Sequence, residues 1–184
     1  MRIFVNACVH VGEGSRTKEL AEHYLNSSGG YYETIDISSG EIKGLSESEL
    51  KERSELVDNG DYSDSMFSMA KKIALADEIV IAAPYWDLSF PAALKAFVER
   101  IFVQGITFDY INDRPSGLCR GKRIVYITTA GGYIGENNFG GEYIEGSFKF
   151  LGVESFIQYQ AEGLDVIGND SKQILEKAKS AIIV

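Results

Sequence analysis

The chain has 184 residues, of which 45% are hydrophobic and 24% are charged, and 18 basic against 27 acidic side chains give a formal net charge of −9. Domains commonly have about 100–200 residues, so residues 1–184 are predicted to form a single domain. The acidic balance argues against partners that need a basic footprint, namely nucleic acid and anionic membrane surfaces. Two cysteines, Cys8 and Cys119, are too few for a disulfide framework.

The N-terminal sequence MRIFVNACVH lacks the apolar run and the cleavage site of a secretory signal. No apolar stretch approaches the ~20 residues that are needed to cross a bilayer. We therefore expect a cytoplasmic protein without a membrane span.

Strand-like and helical segments alternate along the chain. Short runs rich in β-branched and apolar residues predict strands at 3–8, 31–37, 78–83, 123–128 and 155–160. Apolar residues spaced three and four apart predict helices at 15–26, 62–76, 91–103 and 170–183.

This alternation predicts an α/β fold, because parallel strands need crossover helices that cover both faces of the sheet. Among doubly wound sheets we prefer five parallel strands in the order 2-1-3-4-5. Residues 38–64 interrupt the pattern and read as a surface excursion with a short helix, since Ser46 and Glu49 have capping-box spacing. The alternative is that this segment is only solvated padding.

The segment after the first strand, ACVHVGEGSRTKEL, has the features of a phosphate site. Gly12 and Gly14 allow close approach of the backbone, while Ser15 and Thr17 supply hydroxyls at a helix N-terminus, where N–H groups attract anions. Arg16 adds positive charge. The alternative is an ordinary N-capped helix after a turn.

Two further segments lie at the same predicted rim, where open parallel sheets bind ligands. The third strand leads into Tyr85, Trp86 and Phe90, whose rings suit a planar heterocycle and a flat substrate. Packing is the alternative for these rings, and we prefer it for Phe90. The fourth strand leads into residues 128–141, a glycine- and asparagine-rich segment that either presents bare N–H groups or is a flexible loop without a ligand.

Residues 84–132 resemble a known family. The matching residues are Pro84-Tyr85-Trp86, Phe90-Pro91-Ala92, Leu94-Lys95, Phe97, Glu99-Arg100, Gly105-Ile106-Thr107-Phe108-Asp109-Tyr110, Gly117-Leu118, Gly121-Lys122 and Ile127-Thr128-Thr129-Ala130-Gly131-Gly132. Together they resemble the flavodoxin-like NAD(P)H quinone oxidoreductases, and most closely the bacterial FMN-dependent NADH-azoreductases.

The resemblance implies a flavodoxin-like fold with non-covalent FMN and a homodimer with two sites at the subunit interface. It implies ping-pong two-electron transfer from NADH or NADPH to quinone, azo or nitroaromatic acceptors. No side chain is expected to be catalytic, because the cofactor carries the chemistry, and no metal is expected. The implied cofactor-binding residues are His10, Ser15, Arg16, Thr17, Pro84, Tyr85, Trp86, Asp87, Leu88, Thr129, Ala130, Gly131 and Gly132.

Further expectations concern single residues. Trp86 and Tyr133 are the expected stacking residues for substrate, and Phe108, Tyr110 and Tyr133 are candidates for the dimer interface. Asp87 departs from the family's asparagine, and we expect its carboxylate to point away from the flavin ring. Serine is common in the family where His10 stands, and a larger polar residue is common where Ala130 stands.

Two other functions remain open on the sequence. A flavodoxin would bind FMN but pass single electrons to protein partners, without direct reduction by NADH. A flavodoxin-fold protein without cofactor would act through protein partners alone. Absorbance at the flavin bands distinguishes the protein without cofactor from the other two, and anaerobic mixing with NADH distinguishes the oxidoreductase from the flavodoxin.

Overall fold

The structure is a computed structural model that describes residues 1–9 and 14–183. Its main sheet has five parallel strands in the order β2-β1-β3-β6-β7. In chain order the strands are β1 Arg2–Asn6, β2 Glu33–Asp36, β3 Glu78–Ala82, β4 Phe108–Ile111, β5 Arg114–Gly117, β6 Arg123–Thr129 and β7 Ser155–Ala161. The five parallel strands are the five predicted ones, and their order confirms 2-1-3-4-5.

Helices connect the parallel strands. They are α1 Arg16–Ser28, α2 Glu47–Asp58, α3 Ser68–Leu75, α4 Ala92–Ile101, α5 Phe139–Phe150 and α6 Ser171–Ser180. The predicted helix at 62–76 begins late, since a 3-10 turn at Ser65–Phe67 precedes α3. No helix among residues 1–9 and 14–183 is long and apolar enough to cross a membrane.

The core has two halves, one on each face of the sheet. Side chains alternate along each strand, so neighbouring residues enter different halves. Val5 and Ile81 pack with residues of α3, α4 and α5, while Phe4 and Val80 pack with residues of α1 and α6. Helices therefore cover both faces of the sheet, and the carboxyl ends of the strands are where this kind of sheet binds ligands.

The hairpin formed by β4 and β5 was not predicted. Its strands pair antiparallel, and Asn112 and Asp113 at its turn have φ of 51° and 61°, as a type I′ turn requires. At its base Gly117 lies against the backbone of Leu151 and Gly152, so closely that a Cβ would overlap them. The hairpin thereby ties α4 to the end of α5.

The excursion at 38–64 contains the predicted short helix, α2, with its complete capping box. Although α2 has no fully buried residue, it is attached to α4. Arg53 donates to the carbonyl of Glu99 at 3.2 Å, and Arg100 pairs with Glu49 at 2.9 Å. The segment is therefore a surface layer fastened to the helix that follows β3.

Candidate functional site

A cavity of about 400 Å³ lies beyond the carboxyl ends of β1, β3 and β6. This is the edge at which an open parallel sheet binds ligands. Its lining combines backbone-rich loops, one exposed tryptophan and two charged side chains. The lining residues are Val9, Gly14, Ser15, Arg16, Thr17, Pro84, Tyr85, Trp86, Thr129, Gly131 and Asp165.

The N-terminus of α1 forms one wall of the cavity. Ser15 is the N-cap, with extended backbone, and its Oγ accepts from the N–H of Lys18 at 3.2 Å. The first N–H groups of a helix have no acceptor within the helix, and the helix dipole adds partial positive charge there. This wall can therefore bind an anion with backbone donors, as the sequence predicts.

Replacing Ser15 with alanine tests this wall. We expect the free energy of unfolding to fall by about 1 kcal/mol, the usual cost of losing an N-cap. Ser46, the N-cap of α2, is the matched control, since its replacement by alanine removes a cap away from the cavity. Both variants should lose similar stability in urea titrations, and only Ser15→Ala should weaken binding of a phosphate-bearing ligand. Equal binding by the two variants would contradict a role for this helix end.

A buried pair of hydroxyls belongs to that wall. Thr17 Oγ1 and Thr129 Oγ1 are 2.6 Å apart, and the two residues are 1% and 6% exposed. The pair joins the first turn of α1 to the end of β6. Both threonines are among the residues predicted to bind the ligand, and both line the cavity; their hydroxyls also bind each other and fix the wall.

Arg16 is held by a partner from the loop after β7. Its guanidinium donates to Asp165 through two bonds of 2.7 and 3.0 Å. The Arg16 guanidinium holds the pKa of the Asp165 carboxyl below its usual range, and the carboxylate raises the pKa of Arg16. Both side chains are therefore charged at neutral pH.

The aromatic wall follows β3. The N–H of Tyr85 donates to the carbonyl of Thr129 at 2.9 Å, which joins this loop to β6. Trp86 and Ser89 then exchange two backbone hydrogen bonds around a two-residue turn. Trp86 lines the cavity and is 43% exposed, so this wall offers a large aromatic side chain to a ligand.

The turn itself has an unusual backbone. Asp87 and Leu88 have φ of 49° and 65°, a region that costs L-residues other than glycine about 1–2 kcal/mol. Both side chains are exposed. Such conformations persist where surrounding structure enforces them, often at ligand sites.

The segment after β6 differs from the predicted loop at 128–141. Thr128 and Thr129 belong to β6, and α5 begins at Phe139. Two of its glycines are held in place, since the carbonyls of Gly131 and Gly132 accept from the N–H groups of Asp165 and Gly163 at 2.8 and 2.7 Å. These bonds fix the loop against the segment that follows β7.

Eight of the predicted cofactor residues line the cavity: Ser15, Arg16, Thr17, Pro84, Tyr85, Trp86, Thr129 and Gly131. Four others do not line it. Asp87, Leu88 and Gly132 are next to lining residues in the loops after β3 and β6, and Ala130 is buried. His10 lies outside the described residues. Phe90 packs against Tyr143 with ring centroids 5.6 Å apart, which is the packing role that we prefer for it. Tyr133 is 66% exposed on the loop after β6.

Two lining residues were not singled out from the sequence: Val9, which lies within the segment predicted to bind phosphate, and Asp165. The loop after β7 was not considered as a rim segment, although the carboxyl end of that strand lies at the same edge. Cys8, which precedes Val9, is fully buried, and burial raises the pKa of its thiol to about 12. This thiol is protonated at neutral pH and is no nucleophile.

Comparisons with known proteins agree with this architecture. A family model described as the flavodoxin-like fold matches residues 1–183. FMN-dependent NADH:quinone oxidoreductase 2 of Clostridium acetobutylicum is 41% identical over 79% of this chain and 77% of its own length. The FMN-dependent NADH:quinone oxidoreductase of Coprothermobacter proteolyticus is 34% identical, over 97% and 94% of the two chains.

A solved structure shares the fold. The FMN-dependent NADH-azoreductase of Bacillus anthracis, crystallised in complex with FMN, superposes with a TM-score of 0.81 over 97% of this chain and 93% of its own. Its sequence identity is 21%.

Proposed function

This chain belongs to the family with the flavodoxin-like fold, and on that premise we propose that it is an FMN-dependent NADH:quinone oxidoreductase. The observation that carries the proposal is the cavity at the carboxyl ends of β1, β3 and β6, which combines an anion-binding helix end with an aromatic wall. Azo and nitroaromatic compounds are further acceptors, because they are flat and accept two electrons as quinones do.

The residues fit FMN in both chemistry and size. The N-terminus of α1 offers donors for the phosphate, and the loops at Trp86 and Gly131 offer a flat ring and backbone groups for the isoalloxazine. Ligand sites commonly enclose about 300–1,000 Å³, and the cavity lies within that range at about 400 Å³. We propose that the predicted cofactor residues, His10 included, surround FMN.

The residues of this chain position the reactants. When bound, FMN supplies two-electron chemistry between NADH or NADPH and the acceptor. The Thr17–Thr129 pair and the hydrogen bond from Tyr85 to Thr129 fix the N-terminus of α1 and the loop after β3 to the end of β6. Trp86 stacks flat molecules at the mouth, and with Val9 it also lines a neighbouring cavity of about 400 Å³, which offers room for an acceptor.

We also propose that residues 1–184 form one domain that assembles as a homodimer in the cytoplasm, where NADH is available. The dimer has support in an exposed apolar surface on the hairpin and α5: Tyr110 and Ile111 are each 56% exposed, and Phe150 is 38% exposed. Light scattering at assay concentration should give twice the monomer mass. A fully active monomer would contradict the dimer.

Anaerobic mixing with NADH tests the activity. We expect purified protein loaded with FMN to lose its flavin absorbance on mixing, and to regain it when a quinone is added. Loading without reduction by NADH would instead indicate an electron-carrier flavodoxin. Absence of flavin binding in a titration would remove FMN from the proposal.

Replacing Asp87 with asparagine tests the side-chain orientation that we propose. The carboxylate is exposed, and if it points away from the ring, the flavin midpoint potential should stay within about 30 mV of the wild-type value. A larger positive shift with faster reduction by NADH would mean that the carboxylate faces the flavin, since negative charge disfavours the anionic reduced form.

A further inference from the structure

The ion pair of Arg16 and Asp165 supplies all the side-chain charge that the cavity has among its described lining residues. A bidentate pair in which both members are charged contributes no net charge to the wall. The next cation along α1, Lys18, lies 3.8 Å from Glu22 and is also paired. Among the described lining residues, a phosphate in this cavity therefore meets side chains without net charge and the backbone donors of α1.

The position of the Asp165 carboxylate is fixed from two sides. Its own N–H donates to the carbonyl of Gly131 at 2.8 Å, which anchors the backbone. Its carboxylate occupies the space that a Cβ on Gly131 would need. Arg16 Nη1 also lies 3.5 Å from the carbonyl of Leu164, so the pair is built into the contact between the two loops.

We propose that Asp165 is a specificity-determining residue that neutralises Arg16, so that the site recognises the phosphate through helix donors and not through arginine charge. This inference rests on the proposed function, since it assumes that the phosphate of FMN lies at this wall. Its consequence is that the preference for FMN over riboflavin, which lacks the phosphate, follows the net charge of the pair.

Four proteins test the inference: the wild type, Arg16→Gln, Asp165→Asn and the double variant. Dissociation constants for FMN and for riboflavin are measured for each protein by quenching of flavin fluorescence. Because the two ligands differ only in the phosphate, the ratio of the constants reports the contribution of the phosphate to binding. One charge facing a doubly charged phosphate at an exposed site changes affinity by about tenfold. We expect Asp165→Asn to raise the preference for FMN by about that factor and Arg16→Gln to lower it by as much. The double variant should return to within about threefold of the wild type, because its pair is again neutral.

Two further measurements separate charge from structure. Added salt should reduce the preference of Asp165→Asn for FMN more than that of the wild type, because salt screens exposed charges. Glu145→Gln is the control: it breaks an exposed pair with Lys149 on α5 and changes the net charge equally, but Glu145 does not line the cavity. It should leave the ratio unchanged.

The possible results are distinct. A double variant as poor as Arg16→Gln would make Arg16 a direct ligand and overturn the inference. A lower preference in Asp165→Asn would make Asp165 an orienting partner and would also overturn it. If the wild-type protein binds neither flavin, the proposed FMN site is wrong. If it binds FMN but the variants rank differently in their preference for FMN over riboflavin, only this inference is wrong.

Discussion

Replacing Thr17 with valine is expected to lower the free energy of unfolding by about 2 kcal/mol, because the hydroxyl of Thr129 is then left buried without its partner. Thr129→Val should cost a similar amount for the same reason. The double variant removes both hydroxyls and leaves two groups of nearly the same shape, so it should be within about 1 kcal/mol of the wild type. Urea unfolding of the four proteins gives the coupling free energy directly.

The same four proteins show what the pair does for the site. If the threonine hydroxyls serve to fix the wall and the backbone of α1 binds the phosphate, the double variant should keep an FMN affinity close to that of the wild type. If the stability losses of Thr17→Val and Thr129→Val simply added in the double variant, the two hydroxyls would not depend on each other, which would contradict the buried pair. A large loss of FMN affinity in a stable double variant would show instead that the hydroxyls contact the ligand.

Much of the fold could be predicted because burial on both faces leaves a strong local signal. Continuous apolar strands such as 78–83, alternating with amphipathic helices, specify a parallel sheet before any contact is known. The hairpin escaped prediction because its strands are four residues long and partly exposed, and one of them contains Pro115. Its only clear signal is Asn112-Asp113, a pair suited to a turn with positive φ.

The site could be predicted where the ligand-binding segments have unusual composition. Glycines, hydroxyls and aromatic rings marked the loops after β1, β3 and β6, and those loops line the cavity. Asp165 had no such signal, since an aspartate in a loop is ordinary and its partner Arg16 lies 149 positions away. The Thr17–Thr129 pair spans 112 positions. Contacts of this kind depend on how loops meet in space, and a single sequence does not contain that information.

The turn between Trp86 and Ser89 has a backbone conformation that Leu88 does not favour. Leucine is a poor choice at Leu88, where φ is 65°, and type I′ turns prefer asparagine, aspartate or glycine. Leu88→Gly removes the strain, although glycine also makes the unfolded chain more flexible. We therefore expect Leu88→Gly to keep the turn, with unfolding free energy within about 1 kcal/mol of the wild type.

Proline at position 88, unlike glycine, should disrupt the turn and impair function. Its ring fixes φ near −65°, so Leu88→Pro cannot form the turn, and Trp86 loses the two hydrogen bonds with Ser89 that hold it at the mouth of the cavity. Misplacement of a positioning group by about 1 Å can cost about a hundredfold in rate, and we expect a fall of that order in the anaerobic rate of flavin reduction by NADH. Leu88→Gly keeps the turn and is the control for loss of the leucine side chain. Any fall in its rate measures what that side chain contributes, and its rate should stay well above that of Leu88→Pro. Circular dichroism of Leu88→Pro must show the native helix content, so that the loss is assigned to the turn. A folded Leu88→Pro protein that is reduced as fast as the wild type would mean that this turn does not position the reactants, and the aromatic wall would then have to be assigned to other residues.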